Sequence, residues 1–199
     1  MERQGKIKDY LKDYTTRLTD ILNKIEVEHL EQVVTAMINA FKNGNTIYVV
    51  GNGGSAATAS HMQADFRFFV RYFSKFRPKI FALTDNVPMI TAIGNDNNFE
   101  DVFVEQMRGQ FVAGDVLIAI SASGNSPNLV KAAAFANELG GTSIAFVGFS
   151  GGKLNDISTI SLYTPNPKGD YGPIEDVHMI LNHIIVNYLS VDEEFLSLT

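Results

Sequence analysis

Five short runs of continuous apolar residues constrain this 199-residue chain more than any other feature: 46–50, 80–83, 116–120, 143–147 and 159–163. Each is bounded by Gly, Pro, Asp or Asn. A strand with one wet face alternates apolar and polar residues. A strand buried on both faces has no need to, so these runs read as strands of a parallel sheet. Helical stretches lie between and after them, at 55–71, 89–93, 99–111, 128–139 and 174–189. That alternation predicts an α/β fold, a doubly wound five-stranded parallel sheet flanked by helices.

The first 44 residues follow a different pattern. Ile7, Leu11, Tyr14, Leu18, Ile21, Leu22 and Ile25 form one helical stripe, and Val27, Leu30, Val33, Val34, Met37, Ile38 and Phe41 a second. Asn43-Gly44 supplies the stop. Such a pair serves either to pack on the core or to pair subunits. The expected organisation is a single domain over 1–199, with a helical pair (1–44), an α/β core (45–190) and a tail (191–199).

Several function classes are disfavoured at once. A net charge of -6 argues against a nucleic-acid binder, which needs clustered Lys and Arg. No apolar run reaches the ~18 residues of a membrane span. The polar start of the chain lacks the apolar core of a secretory signal, and there is no cysteine; both fit a cytoplasmic protein.

Ligands of doubly wound sheets bind beyond the carboxyl ends of the strands. The loop after the first run, Gly51-Asn52-Gly53-Gly54-Ser55-Ala56, opens a helix and offers backbone N–H groups to an anion. It is not a Walker A loop, since no Lys follows, and it matches the relaxed dinucleotide fingerprint only weakly. Its alternative is a plain turn with Ser55 as a helix cap. The loop Ser121-Ala122-Ser123-Gly124-Asn125-Ser126-Pro127 brings three hydroxyls to another helix start, suited to a phosphate monoester held by neutral donors. The stretch Gly94-Asn95-Asp96-Asn97-Asn98 reads as a turn that could reach sugar hydroxyls.

Two His/acid pairs stand on predicted helices. His61 and Asp65 are four apart, and Glu175 and His183 eight apart, so each pair shares a helix face. His178 is a less certain member, and His29 stands alone. Two His and two carboxylates suit a tetrahedral zinc site, and suit equally the acid and base of a proton transfer between adjacent carbons. The segment 66–76 interleaves Arg67, Arg71 and Lys75 with aromatics. A nucleic-acid stripe is one reading, but a helix packed in a core or interface with solvated cations is favoured.

Together Gly51-Asn-Gly-Gly-Ser-Ala-Ala57, Ala92-Ile-Gly-Asn-Asp96, Gly114-Asp-Val-Leu-Ile118, Ser121-Ala-Ser-Gly-Asn-Ser-Pro-Asn128 and Gly151-Gly-Lys153 resemble the phosphoheptose isomerases of the sugar isomerase (SIS) family, over roughly residues 43–189. The resemblance implies a flavodoxin-like fold and a homotetramer with sites shared between subunits. It implies conversion of sedoheptulose 7-phosphate to D-glycero-D-manno-heptose 7-phosphate through an enediol. Ser55, Ser121, Ser123 and Ser126 would then hold the phosphate, and Asn52, Gly53, Asn95 and Asp96 would line the sugar. Asp65 and His183 would be catalytic, and Glu175 would contact substrate.

Two departures from that pattern stand out. Asp65 replaces the usual base Glu, and Glu175 replaces a Gln on the metal side. The result is His61, Asp65, Glu175 and His183, a sensible zinc set. Ala122 also replaces a common Thr. Two alternatives follow: a non-catalytic relative binding the replication initiator DnaA, which retention of His183 disfavours, and a sensor or isomerase of a different sugar phosphate.

Overall fold

The computed structural model describes residues 2–198. In chain order it contains α1 (Glu2–Leu22), α2 (Val27–Lys42), β1 (Ile47–Gly51), α3 (Gly54–Phe68), β2 (Ile80–Ala82), α4 (Val87–Asp96), α5 (Val104–Met107), β3 (Val116–Ser121), α6 (Pro127–Glu138), β4 (Thr142–Val147), α7 (Gly152–Ile157), β5 (Ile160–Tyr163), α8 (Tyr171–Tyr188) and α9 (Glu193–Leu196). All five strands are parallel, in the order β2-β1-β3-β4-β5. Among the described residues no helix is long and apolar enough to cross a membrane.

The continuous apolar runs are explained by two cores, one on each face of the sheet. Ile47, Val49, Ile118, Ile120, Ile144 and Phe146 point to a core built with α2, α3, α8 and α9. Their neighbours Tyr48, Val50, Leu117, Ala119, Ala145 and Val147 point to a core with α5, α6 and α7. Both faces are dry, so every position of β1 and β3 is buried.

Three local expectations change. The single helix predicted over 99–111 is a 3₁₀ turn (Phe99–Asp101) followed by the short α5. Val102, Phe103 and Val104 are all buried, and one face of a continuous helix cannot bury three consecutive residues. The helix over 55–71 stops at Phe68 and tightens into a 3₁₀ turn (Phe69–Tyr72), so Lys75 does not continue the Arg67 and Arg71 row. Phe66 and Val70 are buried there, while Arg71 lies 3.6 Å over the exposed Phe68 ring. Finally, residues 193–196 within the expected tail form α9. Asp192 caps it by accepting from Phe195 N at 2.8 Å, and the buried Phe195 packs on Phe41 and Phe76.

Of the two roles foreseen for the N-terminal helices, both show packing on the core, α1 through the buried Ile21 with Leu18 and Leu22 against it. α2 buries Val33, Met37 and Phe41 in the core. α1 is tied to the start of α8 by polar contacts: Arg17 donates to both oxygens of Asp170 (2.6 and 2.7 Å), and Tyr14 Oη donates to Asp176 at 2.5 Å. Burial and that hydrogen bond push the Tyr14 pKa up to about 12.

His178 of α8 lies wholly in the core against Phe146, and neither ring nitrogen has a partner among the described residues. Burial pushes its pKa down to about 3, so the imidazole is neutral. Above pH ~6.5 both folded and unfolded chains leave it uncharged. Below that, only the unfolded chain binds the proton, so stability falls toward pH 3 by up to ~1.4 kcal/mol per pH unit. Chemical denaturation at pH 7.5 and 5 should show this loss in the wild-type chain and a smaller one in His178→Leu; equal losses would remove His178 as the cause.

Candidate active site

The sheet order reverses between β1 and β3: the chain leaves β1 for β2 on one side, while β4 and β5 lie on the other. The loops after these two central strands therefore border one crevice, with α3 and α6 pointing their N-termini at it. A cavity of about 180 Å³ opens there, lined by Asn52, Ser55, Ser121, Ala122, Ser123, Ser126, Tyr171 and Glu175 among others. Three larger hollows, of about 560, 460 and 340 Å³, contain none of these residues, and the first two involve α2.

The local chain explains why the hydroxyls face the cavity. The cap position of α3 is Gly53, held at φ +54 and without a side chain, so Ser55 is not used as a cap. Ser126 takes the cap position of α6 without making a side-chain cap bond. Ser121 and Ser123 Oγ accept from Gly124 N (3.1 Å) and Asn125 N (3.3 Å), curling the loop around their side chains. The Gly151-Gly152-Lys153 motif supports this loop from behind: Leu154 N donates to Gly124 O at 2.9 Å and Lys153 N to Asn125 Oδ1 at 3.0 Å.

The two loops are clamped together by a reciprocal amide pair. Asn52 Nδ2 donates to Asn128 Oδ1 (3.0 Å), and Asn128 Nδ2 donates to Asn52 Oδ1 (2.9 Å). Asn52 thus lines the cavity with its amide already committed to the buried Asn128. Sequence reasoning had passed over Asn128 as a site residue.

A second group lies further along α3 and α8. His61 Nε2 is 3.0 Å from His183 Nε2 and 3.3 Å from Asp65 Oδ2, and His183 Nε2 is 3.8 Å from the same oxygen. Two imidazole nitrogens and a carboxylate oxygen, all within 4.8 Å of one another, can hold a divalent metal with a coordination position to spare. Asn182, buried on α8, donates to Asp65 Oδ2 at 2.7 Å. It too went unnoticed in the sequence, although a polar residue on the apolar stripe of Ile174, Val177, Leu181 and Ile185 was a usable signal.

Of the four residues expected to hold a metal, the structure gathers three. Glu175 stands apart, in the serine-lined cavity, its carboxylate oxygen only 2.4 Å from where a Cβ on Gly54 would lie, so a side chain at 54 would have to push that carboxylate aside. Asn95 and Asp96 also stay outside the cavity lining. They close the last turn of α4, exposed, with Asn95 Nδ2 donating to Asp96 Oδ1 at 2.8 Å. His29 pairs with Glu26 on the surface at 3.0 Å.

The named lining of the cavity includes no Lys or Arg, and Glu175 is its charged member. A carboxylate there repels an incoming anion while the helix N-termini attract it. Glu175→Gln should therefore tighten binding of inorganic phosphate about tenfold, ~1.4 kcal/mol, read by calorimetry. Unchanged or weaker binding would place the anion elsewhere.

Known proteins share this arrangement of chain. The SIS domain family matches residues 9–148. Phosphoheptose isomerase of Aneurinibacillus thermoaerophilus is 34% identical over 184 residues, 89% of this chain and 90% of that protein. Phosphoheptose isomerase 2 of Campylobacter jejuni is 41% identical over 154 residues, 75% of this chain and 73% of its own. The structure of phosphoheptose isomerase from Neisseria gonorrhoeae superposes with a TM-score of 0.84 at 32% identity, covering 95% of this chain and 99% of that one. With the five-stranded sheet and its two loops in place, the chain belongs to the SIS-domain family, among the phosphoheptose isomerases.

Proposed function

We propose that this protein is a cytoplasmic phosphoheptose isomerase converting sedoheptulose 7-phosphate to D-glycero-D-manno-heptose 7-phosphate. The observation that carries the reading is the spacing of cavity and cluster. Six residues of α3 separate Ser55 from His61, and eight residues of α8 separate Glu175 from His183. At ~1.5 Å per residue these are spans of about 9 and 12 Å, close to the length of an extended seven-carbon sugar phosphate. The phosphate would sit among Ser55, Ser121, Ser123, Ser126 and the N-termini of α3 and α6, leaving C1 and C2 beside Asp65.

Asp65 takes a proton from C1 of the ketose, and the C–H electron pair becomes the C1=C2 bond of an enediolate. The C2 oxygen receives the charge. Return of a proton to C2, with the C1 hydroxyl proton passing to the C2 oxygen, leaves the C1 aldehyde and a C2 hydroxyl without any oxidant or reductant. All polar contacts of Asp65 among the described residues run through Oδ2, so Oδ1 is the oxygen assigned to that proton. Zinc held by His61, Asp65 and His183 would supply charge stabilisation at the sugar oxygens, the task that otherwise falls to the His183 imidazole as an acid–base group.

Turnover of sedoheptulose 7-phosphate in D₂O, followed by NMR with added zinc or with chelator, tests this directly. The expected product is the aldose with deuterium at C2, formed faster with zinc and at least about 100-fold slower in Asp65→Asn. Sugar-phosphate binding without exchange or turnover would leave only a binding role, that of a sensor or of an isomerase for another sugar.

Copies of the chain are proposed to associate, as a tetramer, partly through α1. Ile7, Tyr10 and Leu11 recur at helical spacing on this helix and are each more than 60% exposed. Sedimentation equilibrium should give a mass of four chains, and Ile7→Glu with Leu11→Glu a smaller assembly. A wild-type monomer would contradict the proposal.

A further inference from the structure

Asn182 combines features that packing alone does not explain. It is fully buried on α8, and its Oδ1 has no partner among the described residues. A buried amide satisfied at one end costs stability, and an apolar residue of the same size would fill the space without that cost. Its Nδ2 nevertheless donates at 2.7 Å to Asp65 Oδ2, the oxygen that also faces His61 and His183. Adjacent residues of α8 therefore address one oxygen, the buried Asn182 and the half-exposed His183.

We propose that Asn182 is a positioning residue: its amide fixes the rotation of the Asp65 carboxylate, holding Oδ2 between the two imidazoles and turning Oδ1 outward. Asp65 is a short side chain on a different helix from Asn182, and this hydrogen bond ties the two helices together at the cluster. The amide and the carboxylate are thus a matched pair. A longer carboxylate at 65 would overrun the Asn182 donor, so Asp65→Glu alone weakens the cluster, and Asp65→Glu with Asn182→Leu recovers part of the loss.

The zinc readout below rests on the metal reading of the cluster; the amide readout does not. In metal-free protein, the side-chain NH₂ resonances of Asn182, identified by their disappearance in Asn182→Leu, should shift on Asp65→Ala. Zinc affinity, measured by competition with a chromogenic chelator, should fall about 10- to 100-fold in Asn182→Leu. It should fall no further when Asn182→Leu is added to Asp65→Ala, because the amide acts only through that carboxylate. Asn182→Ala gives the same reading should the Leu variant fail to fold. Amide resonances unmoved by Asp65→Ala, or zinc losses that multiply in the double variant, would overturn the proposal. Shifted resonances in a wild-type chain that binds no zinc would uphold the Asn182–Asp65 pair and remove the metal instead.

Discussion

The pairing of β1 directly with β3, with β2 displaced to the edge, is the constraint on which the site depends. Five consecutive register pairs, from Ile47↔Val116 to Gly51↔Ile120, bring the two strands to the same height. Their following loops therefore emerge side by side. Two helix N-termini are then aimed at one small cavity, and the Asn52–Asn128 amide pair fixes the gap between them. α8 returns over α3 and extends the site away from the sheet, from Tyr171 and Glu175 at the cavity to His183 at the cluster.

An acidic chain that holds an anion needs positive potential from somewhere. A phosphate site here would draw that potential from the aligned peptide dipoles at the starts of α3 and α6. The glycines follow from this arrangement, since Gly54 lets the Glu175 carboxylate approach the same helix start that would receive a phosphate. Glu175 is thereby an electrostatic partner of α3 and a competitor of any anion in the cavity.

Much of this was legible from residue patterns, for identifiable reasons. The central strands were readable because both of their faces are dry, and the two cavity-lining loops because glycine and serine cluster where those strands end. The region 99–111 misled because its residues contribute to a core from an irregular path. The helix α9 was hidden in an apparent tail, although Asp192 followed by Glu193 and Glu194 is the signature of a helix start. The site was legible in part: spacing of four placed His61 with Asp65, but spacing of eight carried Glu175 two turns along α8, away from His183. Asn182 and Asn128 touch side chains far along the sequence: a polar break in the α8 stripe marks Asn182, but no local pattern names the partner of either.

In the proposed reaction the serine-lined cavity and the His61–Asp65–His183 cluster are two ends of a single sugar-phosphate site. Paramagnetic relaxation of ³¹P in bound sedoheptulose 7-phosphate, with Mn²⁺ placed in the cluster, measures their separation directly. A single site requires a phosphorus-to-metal distance of about 10 Å, lengthened or abolished when Ser121 and Ser123 are replaced by Ala. A distance of ~3 Å, with phosphate bound at the cluster itself, would contradict it.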